Sequence, residues 1–434
     1  MLISLAMIAK NEEAMLAHCL ESVISLVDEI IIVDTGSKDK TIDIAKSFGA
    51  QVHHFEWRDD FSRARNESLK YCSGDWVLIL DADEAIDTID HEKIKNACLR
   101  PQADAYNLIQ RNYLITSNVS LQDIALTRNV SDYSEGRGLP FYADITVPRL
   151  ARMFDGLAFN GRVHETYEDS ALSSGKTIKN LDAVIHHFGK LSCEREEYKA
   201  QYYLMLARLE AEANPDFAPA RFKVLQQALA AKQWETALVA AKANMELTSY
   251  VDPLVLYGGG VALQALNRHS EAILYFDTLL SQLPEHALAI LAKCRSCVAQ
   301  GEISAGRELI MKAIELEPGN ATTRKRLAEL EYSQNNLDAA RKATLDAIAI
   351  APNEPSAYGF LIKIEITRGN AKQAVQDALL GIQRCPLGGE GRWHRLAAVY
   401  FSKVGQRDRA RSILKQGLKG FPDNADLIRL KGMI

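Results

Sequence analysis

Up to Leu80 the chain alternates between short apolar runs and longer stretches whose apolar residues recur at helical spacing. Leu2–Ala9, Glu29–Val33 and Trp76–Leu80 read as strands, because short runs of bulky apolar side chains suit strands covered on both faces, and Gln51–Trp57 is a further strand candidate. Between them, Met15–Val27 (Leu16, Leu20, Val23, Ile24, Val27), Lys38–Phe48 and Phe61–Tyr71 read as helices, with Gly49 closing the second. This order predicts right-handed strand–helix–strand units and a mostly parallel sheet. Three strands run into polar residues: Lys10-Asn11-Glu12-Glu13, Asp34-Thr35-Gly36-Ser37 and Asp81-Ala82-Asp83-Glu84. Unpaired carboxylates are strongly disfavoured in a core. Asp81, Asp83 and Glu84 are therefore expected together in the crevice at the carboxyl edge of the sheet, with Asp34 at the same edge.

After Leu99 the pattern loosens. Ala105–Arg111 reads as a strand, and Thr116–Thr146, with Gly136, Gly138 and Pro140, as a long polar loop of the kind that covers a site. Val147–Phe154 and Leu157–His164 suggest a hairpin around Asp155-Gly156. Ala183–Phe188 reads as a last strand, and Glu194–Glu212 as a connecting helix. Beyond it strands vanish and a period appears. Pro284, Pro318, Pro352 and Pro386 are spaced by 34 residues, and Pro422 follows after 36. Twelve residues before each stands a small residue (Ala272, Gly306, Ala340, Ala374, Ala410), and Ala237 marks a weaker earlier copy. Two helices that approach closely at the small residue, with proline ending the second, explain the pattern. It resembles the tetratricopeptide repeat, which implies an all-α superhelix with a concave face. The expected division is 1–192 for the α/β domain, 193–215 for a linking helix and 216–434 for the repeats, with Asp423–Ile434 as a capping helix.

The length of 434 residues agrees with more than one core. With 47% hydrophobic and 25% charged residues and a net charge of −5, nothing favours nucleic acid or an anionic membrane as partner. Met1–Ala9 lacks a basic leader, and no run reaches the roughly 18–20 apolar residues that a spanning helix needs. The seven cysteines are odd in number and scattered, which points to reduced thiols and a cytoplasmic setting. Cys294 and Cys297 form a lone C-x-x-C inside a helical repeat, where packing is the expected role.

The candidate chemistry lies in the first domain. Asp81 and Asp83 are two apart, so on an extended chain both side chains point the same way and offer hard oxygens to a divalent cation holding a diphosphate. Asp34 suits hydrogen bonds to a ribose or base. Arg65 precedes the acidic strand and can reach a base or phosphate. His186 and His187 end a strand, so one of them can join the carboxylates around Mn²⁺. Glu165, in Gly161-Arg162-Val163-His164-Glu165, stands where a general base could act.

These residues carry a resemblance. Met7-Ile8-Ala9-Lys10-Asn11-Glu12, Val33 to Thr41, Asp60 to Asn66, Leu80 to Glu84 and Arg149 to Phe154 resemble family 2 glycosyltransferases. With the repeats, the arrangement is similar to bacterial peptide S-glycosyltransferases of the sublancin type. The resemblance implies a GT-A catalytic domain, Rossmann-like with a mostly parallel sheet, ahead of the tetratricopeptide superhelix. It implies nucleotide-sugar contacts at Asp34, Thr35, Arg65 and Asp81, metal ligation by Asp83, Asp81 and His187, and a catalytic base at Glu165. His187 is preferred over His186 because His187-Phe188-Gly189 matches the family's segment, although Lys190 replaces the usual aromatic and no Glu-Asp pair stands at Glu165. The cofactor implied is Mn²⁺ or Mg²⁺, and the donor a UDP-sugar. The acceptor implied is a protein or peptide bound by the repeats. Competing readings are a nucleotidyltransferase, an inactive scaffold, and an enzyme acting on a glycan or lipid whose repeats make a homodimer.

Overall fold

The computed structural model describes residues 1–114, 126–128, 133, 136, 139, 141–189, 193–386 and 388–433. Two compact units emerge, Met1–Ala262 and Leu263–Ile434.

In the first unit, β1 (Ile3–Ala9), α1 (Leu16–Val23), β2 (Glu29–Asp34), α2 (Thr41–Ser47), β3 (Gln51–His54), α3 (Phe61–Leu69) and β4 (Trp76–Ile79) follow the predicted alternation. Strands β1, β2, β3 and β4 are mutually parallel, and Ala9 pairs with Asp34. The apolar runs of β1 and β4 are continuous because both strands are covered twice. Leu5, Met7, Leu78 and Leu80 face one core with Leu16 and Leu20 of α1, while Ala6, Val77 and Ile79 face a second with Phe159 and Tyr167.

The remaining elements complete the sheet: β5 (Glu84–Ile86), α4 (Thr88–Leu99), β6 (Ala105–Leu114), β7 (Leu126–Arg128), β8 (Phe141–Arg152), α5 (Glu168–Ser173) and β9 (Ile178–His187). The strand order is β3-β2-β1-β4-β8-β6-β9-β5, with β7 beside β8. Strand β8 runs antiparallel to both β4 and β6.

Several sequence expectations change here. The third strand stops at His54 rather than Trp57. Phe141–Thr146, read as loop, belongs to β8 and pairs one for one with Leu114–Ile109 of β6. The expected hairpin is absent: Leu157–His164 is a loop with a single bridge between Asn160 and Thr166. Gly161 at φ 100° and His164 at φ 50° turn it out of extended geometry. Most of the proposed covering loop, Gly138 included, lies outside the described residues, as does Lys190.

Helices α6 (Cys193–Ala213), α7 (Ala218–Ala230) and α8 (Trp234–Leu247) belong to the first unit. In the second unit, helices pair as the period predicts. Pro284, Pro318, Pro352 and Pro422 each stand in the turn just past a helix end. Ala237, Ala272, Gly306, Ala340, Ala374 and Ala410 are each the fourth residue of the second helix of a pair. The alanines among them are fully buried, and a Cβ on Gly306 would lie 2.6 Å from Val298. A second period was there to be read: Asn267, Gly301, Asn335 and Gly369 all have positive φ in the turn between paired helices. Glycine and asparagine are the residues that accept that region at least cost.

Candidate active site

At the carboxyl end of β4 the chain divides its three acids, and they do different work. Glu84 is not in the crevice. It starts β5, is fully buried, and accepts the Asp81 amide at 2.8 Å and Arg149 Nη2 at 2.7 Å, with Gln110 as a further donor. Burial pushes its carboxyl above the usual range, against the pull of Arg149. The expectation of three acids converging on ligand is corrected here: β9 pairs antiparallel with β5 and draws Glu84 into the sheet, where Arg149 of β8 neutralises it.

Asp81 is clamped by two guanidiniums. Arg65 Nη2 binds Oδ1, and Arg149 Nη2 binds Oδ2 at 3.1 Å. Burial opposes ionisation, but Arg65 and Arg149 outweigh it and hold the carboxyl far below its ordinary value. Arg65, almost fully buried on α3, also donates Nε to Glu165 Oε1 at 3.0 Å. Its Nη1 is buried with no hydrogen-bond partner among the described residues. An unmet buried donor in a cationic group is costly, and an anion in the crevice would satisfy it. Arg149 stood in the sequence as part of a motif, but nothing local announced its role: it is joined to Asp81 and Glu84 only because β8 lies beside β4.

Asp83 is free of the arginines and faces His187, with Oδ2 3.5 Å from Nε2. His187 Nδ1 donates to Asn112 Oδ1 at 2.7 Å, which orients the ring and leaves Nε2 toward Asp83. Burial raises the Asp83 carboxyl, yet His187 brings it below its ordinary value; His187 is raised in turn by Asp83 despite its own burial. A Cβ on Gly189 would collide with the Asp83 carboxylate and stand 2.7 Å from His187 Nε2, so glycine keeps this pocket open. His186 points elsewhere: its Nδ1 is 2.8 Å from the Tyr113 hydroxyl, and burial lowers it to about 4. One carboxylate and one imidazole suit a divalent cation whose other ligands are phosphate oxygens and water. Among the described residues no group of three or more His, Cys, Asp or Glu is placed to hold an ion.

Asp34 ends β2 and is buried, accepting Gly36 N at 3.0 Å and Ser37 N at 3.1 Å, with His54 Nδ1 at 3.8 Å. Thr35 is buried beside it and donates its amide to Ala9 O at 3.0 Å. The structure thus joins Arg65, Asp81 and Glu165 directly and sets Asp83 with His187, whereas Asp34 and Thr35 shape a separate turn at the same sheet edge.

Residues 4–134 match the family described as glycosyl transferase family 2, and residues 291–355 match the tetratricopeptide repeat. A TPR repeat-containing protein of Synechococcus elongatus is 31% identical over 43% of this chain and 42% of its own length. An uncharacterized glycosyltransferase of Rickettsia typhi is 36% identical over 46% of this chain and 65% of its own. The SPbeta prophage-derived glycosyltransferase SunS of Bacillus subtilis is 28% identical over 38% of this chain and 34% of its own. The match spans less than two thirds of each of these relatives. No helix among the described residues is long and apolar enough to cross a membrane.

Proposed function

For a chain with a family 2 glycosyltransferase domain and tetratricopeptide repeats after it, we propose transfer of a sugar from a nucleotide-sugar donor to a protein or peptide acceptor, with inversion at the anomeric carbon. The observation that carries this reading is the buried sequence of contacts from Glu165 through Arg65 to Asp81, beside the open Asp83–His187 pair. Arg65 offers an unmet Nη1 donor to the donor's negative charge, and Asp81 and Glu165 fix the guanidinium plane. Asp34 and Thr35 would take the nucleoside.

Asp83 and His187 fit a divalent cation, Mn²⁺ or Mg²⁺, which when bound supplies positive charge against the diphosphate. Asp81, with both oxygens held by arginine, is better suited to orienting Arg65 than to ligation. Glu165 commits one oxygen to Arg65 and so keeps the other for the acceptor's proton. The acceptor atom bonds to the anomeric carbon as its proton passes to Glu165 and the carbon–oxygen bond to the diphosphate breaks, its electron pair leaving with the nucleotide. A thiol ionises more readily than a hydroxyl, so a thiol acceptor demands least of the base. Repeats of this class commonly hold extended peptides, which favours a protein or peptide acceptor. Incubation with Mn²⁺ and a panel of sugar nucleotides, reading nucleotide release, tests the donor half. Release from no donor, with the protein folded, would sink the reading.

A further inference from the structure

The loop that carries Glu165 is held from two sides. On the sheet side, Asn66 of α3 grips Phe159, donating Nδ2 to its carbonyl at 2.9 Å and accepting its amide at 2.7 Å. Paired bonds of 2.9 and 3.1 Å between Asn160 and Thr166 then close the loop. The other side is supplied by α6 and α7. Glu210 of α6, only 8% exposed, accepts the Arg162 amide with Oε2 at 2.9 Å and Lys223 Nζ of α7 with Oε1 at 3.0 Å. Gln227, also on α7 and buried, has Nε2 2.7 Å from His164 Nε2. Room for Lys223 exists because residue 161 is glycine: a Cβ there would stand 2.5 Å from Nζ.

Two residues of this short loop, Gly161 and His164, have left-handed backbone. A non-glycine residue in that region is strained and persists only where its surroundings over-determine it. Here the helices that follow the sheet hold the Arg162 amide and His164, while the Phe61 amide donates to the Arg162 carbonyl at 3.1 Å from the side of α3. We propose that Glu210, its charge balanced by Lys223, is a positioning residue that sets Glu165 against Arg65, making α6 and α7 part of the transfer site. The proposal rests on reading Glu165 as the acceptor's base. Releasing the Arg162 amide would let the loop relax toward ordinary backbone, and a shift of about 1 Å in a reacting group costs about a hundredfold in turnover.

The test uses the full chain. In Glu210→Leu, hydrogen exchange of the 161–166 amides should rise about tenfold while that of β1 and β4 stays unchanged. Turnover with the donor found in the panel should fall about a hundredfold, with the Kd for UDP in the presence of Mn²⁺ unchanged. Glu210→Gln keeps an oxygen for the Arg162 amide and should recover most of the turnover. Lys223→Met is the second variant should Glu210→Leu not fold, with the same pattern at smaller amplitude. Unchanged exchange and turnover in whichever of these folds overturns the positioning role. Normal turnover in Glu165→Gln overturns the base reading by itself, since the exchange measurement does not depend on it.

Discussion

Buried carboxylates meet guanidiniums in both units, but the two arrangements are built differently. In the second unit Arg307 pairs with Glu331 and, one period later, Arg341 pairs with Glu365 at 2.9 Å. Both pairs are spaced alike in the chain, so a single repeat unit encodes them. In the first unit the cluster draws Arg65 from α3, Asp81 and Glu84 from the end of β4 and the start of β5, Arg149 from β8, and Glu165 from a loop. No period links those positions. One set of charges belongs to a stacking rule, the other to a single site.

The comparison can be broken most severely at the site. Asp83→Ala should reduce transfer by about a thousandfold or more while the thermal midpoint holds, since Asp83 lies beyond the strand. Near-normal nucleotide release with Mn²⁺ as sole metal would remove the metal assignment.

Next comes Arg149→Met, which leaves Glu84 buried without its partner. Removing one member of a buried pair costs about 3–5 kcal/mol, to be read from the urea unfolding of the first unit. A loss below that range would mean that Gln110 and the Asp81 amide suffice.

Arg341→Met should cost less, about 1–3 kcal/mol, because Arg368 Nη1 stays 3.5 Å from Glu365. The loss should appear as faster exchange in the helix Pro355–Thr367 and leave β4 unchanged. It should also depend on pH. Burial raises the Asp377 carboxyl, against Gln373 and Arg341. A raised carboxyl contributes stability at low pH that is lost as pH rises through its folded value, and losing Arg341 raises it further. The deficit of the variant should therefore widen with rising pH. A deficit independent of pH would show that Asp377 does not sense Arg341.

The smallest effect is expected in the turns. Asn335, at φ 59°, should lose about 1 kcal/mol as Ala and almost nothing as Gly. Equal unfolding midpoints for the two variants would mean that the left-handed turn contributes no strain.

What could be read from the residues alone follows periodicity. The strand runs, the 34-residue proline spacing and the small fourth residue of each second helix are local or recurring signals. Local geometry therefore determines where they fall. Short polar ends of strands also pointed to the candidate site, because unpaired carboxylates are disfavoured in a core. The identities within it were another matter. Asp81, Asp83 and Glu84 look equivalent as a string, yet one is clamped by two arginines, one faces a histidine and one is buried in the sheet. That partition depends on β8 running antiparallel beside β4 and on β9 covering β5, pairings between segments dozens of residues apart. The brace on Glu165 is likewise invisible in order, since Glu210 and Lys223 sit on helices that read as a connection and a first repeat. A charge's partner is chosen by proximity in space, and only the tertiary structure decides which charges are near.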